Sequence, residues 1–422
     1  MITLIEALNF RCLKYIKQPL GPFHVLVGPN ASGKTTFLDV VAFLGKLVSE
    51  GLDAAVHDRT NNFEDLIWGR AGHCFELAIE ANIPEEKREL LPEKNFDTIR
   101  YEVSLGLEPS TGELEIKAEE VLLMKAKSLR NHIREKFPLF PGSVPNTIIT
   151  SKTGKQVGVR LVIRKVPGRN DNFYSEVYRE SGKGWAPSFK LGPRKLALGN
   201  LPADESKFPV TTWLKTLLIE GVQQFVLNSL LIRKASPPGQ VRGFKPDGSN
   251  LPWVIESLQK KNPDNFQNWI AHLQTALPDI ETIRTVERPD DKHRYLVIRY
   301  RGGLEVPSWM ASDGTLRLLA LTLPAYIPDF TGVYLIEEPE NGIHPRAIET
   351  VYQSLSSVYN AQILLATHSP VILSMVDAAK VLCFAKTPEG ATDIVLGSNH
   401  PALKEWQGET NLGVLFAGGV LG

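Results

Sequence analysis

Four hundred and twenty-two residues is about three times a usual domain length, so one large domain with insertions or two to three smaller ones are the choices. Hydrophobic residues make up 43% and charged residues 22%, a globular composition that excludes a disordered, collagen-like or disulfide-stapled chain. The 47 basic and 47 acidic residues cancel, so net charge by itself indicates neither nucleic acid nor membrane as a partner.

The chain opens on two predicted strands, Ile2 to Phe10 and Phe23 to Val27, the second short and apolar like a buried strand of a parallel sheet. No basic region with an apolar core stands at the start, and no window approaches 18 consecutive apolar residues, so neither a signal peptide nor a membrane span is expected and the cytoplasm is the expected location. Cys12, Cys74 and Cys383 are few and far apart, which suggests neither a disulfide framework nor a zinc site. A glycine-rich turn follows Val27, and Phe37, Val40, Val41 and Leu44 then recur at helical spacing. Residues 75 to 123 alternate apolar and polar around Gly106 and the Pro109 to Gly112 turn, predicting an antiparallel sheet beside the parallel one.

Between Lys125 and Lys195 stand 16 Lys or Arg against Glu135, Asp171, Glu176 and Glu180, a local charge of +12. The stretch is rich in Pro and Gly, with short strand-like runs such as Val157 to Val166, and is expected to be an insertion. It is either a solvated basic loop region or a surface for nucleic acid or an acidic partner. From Trp213 the pattern turns helical, with Leu214, Leu218, Val222, Phe225 and Val226 on one face. Further helices are predicted over Leu251 to Lys260 and Phe266 to Ala276, then a strand over Tyr295 to Tyr300. The last 110 or so residues alternate helix and strand, the mark of a parallel α/β sheet, and no heptad pattern supports a long coiled coil.

Gly28-Pro29-Asn30-Ala31-Ser32-Gly33-Lys34-Thr35 fits the P-loop spacing, with Thr36 next in the helix. Such glycines let the backbone curl so that N–H groups face the phosphates of ATP; Lys34 adds a point charge and the Thr35 hydroxyl is a ligand for Mg²⁺. Val333 to Ile336 is an apolar strand ending in Glu337 and Glu338. Glu337 can hold Mg²⁺ and Glu338 can act as general base on water, although a capping turn before Pro345 would explain Glu340 or Asn341 equally well. His368 follows the strand Ile363 to Ala366, where a structural histidine is the plain alternative. Ser312 and Gly314 open a helix, a geometry that serves an N-cap or an anion.

In this order the segments resemble the ATP-binding cassette family, specifically its non-transporter branch of RecF-like, SMC-like and overcoming-lysogenisation-defect (OLD) ATPases, the stand-alone AAA-type ATPases of bacterial defence and genome maintenance. The resemblance covers roughly residues 1 to 123 and 212 to 385. It implies an α/β P-loop NTPase with a parallel sheet, a flanking antiparallel β-lobe and a helical lobe. Residues 1–123 would be the first part of the ATPase head, 124–209 the inserted basic module, and 210–422 the helical lobe with the rest of the head. It also implies a signature at Ser312 and Gly314, a D-loop from Glu340 to Pro345, His368 as γ-phosphate sensor, and a head-to-tail homodimer with two ATP molecules between P-loop and signature. Ala311 stands where many relatives have Leu, Glu337 where transporters have Asp, and Gln156 and Gln223 are poor matches for the Q-loop glutamine.

Fifty-four residues follow His368, too few for an appended nuclease domain, so this chain is not expected to cut DNA itself. The 276 residues between Thr35 and Ser312 contain no coiled coil for tethering and exceed the gap of about 100 residues that a transporter subunit would have. What these exclusions leave is a switch ATPase that senses nucleic acid or a phage product and regulates a separately encoded effector, a nuclease or toxin, in antiphage defence or DNA repair. A second reading is an ATP-bound assembly scaffold with negligible turnover. The apolar C-terminus, Leu412 to Gly422, either packs on the head or docks a partner.

Overall fold

In the computed structural model, which describes residues 1–126, 134–153, 158–177, 187–240, 243–328, 330–404 and 412–419, a six-stranded sheet forms the centre. Its order is Val222–Phe225, Gly332–Glu337, Ala361–Ala366, Phe23–Val27, Val381–Lys386 and Thr392–Leu396. The first five strands are parallel and the last is antiparallel. The four inner strands are largely apolar runs because both faces are covered. Leu26, Leu335, Leu364 and Phe384 point into one core and Val25, Ile336, Leu365 and Cys383 into the other. The sheet's period of two thus divides one run of sequence between two cores.

The first core holds the helix Lys34–Glu50, which buries Phe37, Val40, Val41, Phe43, Leu44 and Leu47, and one face of an eight-stranded antiparallel sheet. That sheet runs Leu13–Pro19, Ile2–Phe10, Cys74–Asn82, Thr98–Leu107, Leu114–Met124, Val159–Lys165, Asp171–Phe173 and Ser188–Phe189. The hairpin strand Leu13–Pro19 carries only two fully buried side chains in seven, too weak an alternation to have been predicted. The second core packs the helices Leu251–Lys261, Pro263–Ala276, Asp313–Thr322 and Pro345–Ser356 against the opposite face. Beside them lies a three-stranded sheet of Ile280–Glu287, Arg294–Tyr300 and Glu305–Pro307. Among the described residues, no helix is long and apolar enough to cross a membrane.

The basic stretch extends the eight-stranded sheet by its last three strands, and Val162, Ile163 and Phe173 join the first core. Several of its cations are engaged internally: Arg134 with Asp393, Arg164 with Glu120, buried Lys165 with Asp171, and Arg194 with Asp53. Lys127, Arg130, Lys155, Arg179 and Lys183 lie outside the described residues, as do Gln156 and Val157.

One helical expectation changes. Residues Pro209–Thr216 form a helix, Leu217–Gly221 a π-turn, and Val222–Phe225 the outer strand of the central sheet. Parallel pairing with Val333 to Ile336 overrides the helical spacing of Val222 and Phe225. The strands approach so closely at Gly221 and Gly332 that a Cβ on Gly332 would lie 2.4 Å from the Gly221 carbonyl oxygen. At the C-terminal end, Leu412–Ala417 is helical and buries Leu412 and Leu415 in the second core, so these described residues pack on the head.

Buried carboxylates fasten loops to the eight-stranded sheet. Glu76 accepts from the Ile148 N–H at 2.6 Å, Glu102 from Thr150 at 2.9 Å and Glu120 from Ser151 at 3.1 Å, while Arg100 pairs with Glu6 and Glu80. The polar face that sequence alternation assigns to solvent is therefore roofed by residues 147–151. Glu176 does the same for the helix at Pro209, whose flanking Phe208 offers no side-chain cap. Its oxygens accept from the Val210 and Thr211 N–H groups at 2.7 and 2.8 Å and from the Thr211 hydroxyl. Glu176→Ala leaves those buried donors without an acceptor and is expected to cost about 2–4 kcal/mol, read as a lower urea midpoint. Glu176→Gln, which keeps a carbonyl acceptor, should lose less; equal losses would show that one neutral carbonyl cannot replace the two carboxylate oxygens.

Candidate nucleotide site

The strand Phe23–Val27 ends at the carboxyl edge of the central sheet and turns directly into the helix Lys34–Glu50. Two glycines make that turn possible. Gly28 and Gly33 have φ of 152° and 103°, where a side chain is strained, and a Cβ on either would lie 2.2 Å from a neighbour, the Phe384 carbonyl oxygen or Thr392 Oγ1. Thr392 also donates to the Ser32 carbonyl at 2.9 Å, so the outermost strand of the sheet braces the loop.

Lys34 is buried and folds back over its own loop, donating from Nζ to the Gly28 and Pro29 carbonyls at 2.8 and 2.9 Å. Burial lowers its pKa, opposed by the charges of Glu338 and Glu337. Thr35 Oγ1 donates to Glu337 Oε2 at 2.5 Å, joining residues 302 apart. Glu338, next along, has φ of 46°. Its N–H donates to the Ala366 carbonyl at 2.8 Å, and its Oε2 accepts from Asn341 Nδ2 at 2.5 Å. His368 completes this side; burial lowers its pKa, with Lys34 the next cause and Glu338 and Glu340 opposing. Asn30, Ala31, Ser32, Gly33, Lys34, Thr35, Thr36, Glu337, Glu338 and His368 line one cleft of about 410 Å³.

The cleft fits a nucleotide polyphosphate and a hard metal ion. The Ser32 hydroxyl is buried in the cleft wall with no hydrogen-bond partner among the described residues, a polar group awaiting an acceptor. Thr35 and Glu337 pair a hydroxyl with a carboxylate, oxygen donors of the kind Mg²⁺ takes.

Glu340 and Asn341 do not cap the helix Pro345–Ser356; His344 does, accepting from the Arg346 N–H. Glu340 instead accepts from the Thr367 hydroxyl at 2.6 Å and the His368 N–H at 2.9 Å, tying this turn to the His368 segment. Ser312 and Gly314 do not line the cleft of their own chain. Ser312 caps the helix Asp313–Thr322, accepting from the Thr315 N–H at 3.1 Å, and Asp313 pairs with Arg233. Gly314 and Arg317 touch the Glu340–Pro345 turn: Arg317 Nη1 donates to the Asn341 carbonyl at 2.9 Å, and a Cβ on Gly314 would lie 2.7 Å from the Gly342 oxygen.

Sequence reasoning missed several neighbours. Gln224 Nε2 lies 3.5 Å from Glu337 Oε1; it sits on the strand misread as helix, and a strand assignment would have turned it toward Glu337. Arg11, Cys12 and Lys386 also line the cleft but belong to no motif.

Fold and cleft together define a P-loop ATPase of the ABC, SMC-head and OLD-like type. The chain belongs to the family described as "AAA domain, putative AbiEii toxin, Type IV TA system", which it matches over residues 23–120 and 172–374. A 41-residue stretch is 49% identical to the OLD nuclease of Thermus scotoductus (strain ATCC 700910 / SA-01), but it spans 10% of this chain and only 8% of that protein. An SMC head bound to the C-winged helix domain of ScpA shares the fold with a TM-score of 0.53 at 15% identity, over 93% of this chain and 97% of that one. An SMC head with an extended coiled coil, bound to the C-terminal domain of ScpA and derived from Pyrococcus furiosus, gives 0.52 at 14%, over 96% and 98%.

Gly314→Ala must displace either the helix Asp313–Thr322 or the turn carrying Asn341, the partner of Glu338. Misplacement on the ångström scale costs about 10²-fold in rate, so steady-state turnover should fall by that order while calorimetric ATP affinity holds. Unchanged turnover would show that the contact is incidental.

Proposed function

We propose that this chain is an ATP-hydrolysing switch that closes head to tail with a second copy around ATP and regulates a separately encoded effector, a nuclease or toxin, in antiphage defence or DNA repair. The observation that supports this best is the convergence of Lys34, Thr35, Glu337, Glu338 and His368 on one cleft, with Ser312 and Gly314 outside it and available to a partner copy. On this reading Gly28 to Thr36 cradle the phosphates, and Thr35 and Glu337 hold Mg²⁺. That ion, when bound, neutralises charge on the β- and γ-phosphate oxygens.

Glu338 then accepts a proton from the attacking water as its oxygen bonds to the γ-phosphorus and the bond to the ADP oxygen breaks. Its hydrogen bond from Asn341 Nδ2 fixes the carboxylate, and neutral His368 reports the γ-phosphate. Residues 1–123 and 210–422 make the head, and 124–209 form the inserted module through which nucleic acid can act. The SMC heads of the same fold are bound to domains of ScpA, which supports a protein partner for this head too. The setting we propose is cytoplasmic.

The test is ATP turnover of the purified chain with and without duplex DNA, with Lys34→Ala as blank and light scattering for mass. Glu338→Gln should lower turnover by about 10²–10⁴-fold and accumulate an ATP-dependent dimer. Glu338→Gln turnover equal to that of an active wild type would remove the general base from the scheme, and wild-type turnover no higher than the Lys34→Ala blank would favour the scaffold.

A further inference from the structure

We propose that Trp68 is the platform for the nucleotide base, with Arg11 and Lys386 beside it as cations for the phosphate or ribose next to that base. This rests on the P-loop cleft being the ATP site. Along the carboxyl edge of the central sheet the order is Glu337 and Glu338, then Ala366 with His368 just beyond it, then the P-loop, then Lys386. The reactive carboxylates and Lys386 thus stand on opposite sides of the P-loop. A triphosphate whose γ end faces Glu338 sends its base toward Lys386.

On that side the sequence gathers three side chains that no motif explains. Lys386 ends its strand exposed, lines the cleft and makes no ion pair among the described residues. Arg11 lines the cleft from the hairpin turn after Phe10 and holds φ of 49°. Its partner Asp39, at 3.0 Å, already takes the guanidinium of Arg59 in a two-pronged bond of 2.5 to 3.0 Å. Asp39 divides its charge between two guanidinium groups, with Arg59 also reaching Asp58 at 3.5 Å, so Arg11 on the cleft wall is only partly neutralised. Trp68 follows directly on the segment stitched to that hairpin, where Phe10 bridges Ile67 and the Arg11 N–H donates to the Leu66 carbonyl at 2.9 Å.

The half-buried Trp68 reaches Lys386 across Gly390. A Cβ on that glycine would lie 3.9 Å from the indole tip and 3.5 Å from Lys386 Cε. Among the described residues no Phe, Tyr or Trp lines the cleft itself, and Trp68 is an aromatic surface at its Lys386 end. Stacking of a base on an aromatic ring favours binding without reading its edge, and flanking cations suit the phosphates.

The test uses the full chain and calorimetric titration with Mg-ATP, Mg-ADP and inorganic tripolyphosphate, which has phosphates but no base. Trp68→Ala should weaken ATP and ADP about tenfold or more and leave tripolyphosphate unchanged, while Trp68→Phe restores most of the affinity. Unchanged ATP affinity in Trp68→Ala overturns the proposal, as does a parallel loss for tripolyphosphate, which would make Trp68 a support of the loop. If Trp68→Ala does not fold, Trp68→Phe decides: ATP should quench wild-type fluorescence and lose that quench in the variant, and a retained quench sinks the idea. Lys34→Ala separates the two layers, because it should weaken ATP and tripolyphosphate alike. If it weakens neither, the cleft is not the nucleotide site and both readings fall.

Discussion

The hydrogen bond between Thr35 and Glu337 is the constraint on which the site depends. It spans 302 positions of sequence and forms only because the strands Phe23–Val27 and Gly332–Glu337 flank Ala361–Ala366 in parallel. Parallel strands end on the same edge, so each contributes its next residues to one line of polar groups. The P-loop, the two glutamates and His368 arrive there by topology and need no local attraction to find one another. Loss of any one of the three strands would remove a reactive group from the line.

Around that edge, rigidity comes from charges and hydroxyls buried in specific bonds. Thr392 holds the Ser32 carbonyl, Glu340 holds the His368 segment, and Glu76, Glu102, Glu120 and Glu176 hold loops and a helix start by their N–H groups. The carboxylates take backbone N–H donors, and the Thr392 hydroxyl serves a backbone carbonyl, that a buried loop would otherwise leave unsatisfied. This explains how a chain with long irregular connections keeps a defined cleft. Between Lys125 and Lys195 the same device serves a cation, the buried Lys165 held by Asp171.

Most of the central sheet was legible in the sequence because short, wholly apolar runs next to helical periodicity leave few alternatives. Val333 to Ile336, Ile363 to Ala366 and Val381 to Phe384 all stand where expected. The P-loop and Glu337 with Glu338 were legible for a different reason, since their residue types have a chemical meaning at fixed spacing. Val222 to Phe225 misled because four residues fit a helical face or a strand equally, and only the neighbour at Gly332 decides. Arg11, Cys12 and Lys386 were invisible because tertiary pairing places them in the cleft, and Thr392 because pairing sets it against the P-loop. The buried faces of Glu102 and Glu120 were invisible too, since alternation cannot reveal that a loop returns to cover them.

Gly314 and Arg317 press the helix Asp313–Thr322 against the turn that carries Asn341, within a single chain. In the proposed head-to-tail pair, that helix would face one nucleotide while Asn341 would hold Glu338 at the other. The two catalytic centres of such a pair would share one rigid lever, so occupancy of the first would be felt as alignment of the second. Communication between sites would then be a matter of van der Waals contact at one glycine, and the pair would turn over as a cooperative unit instead of two independent heads.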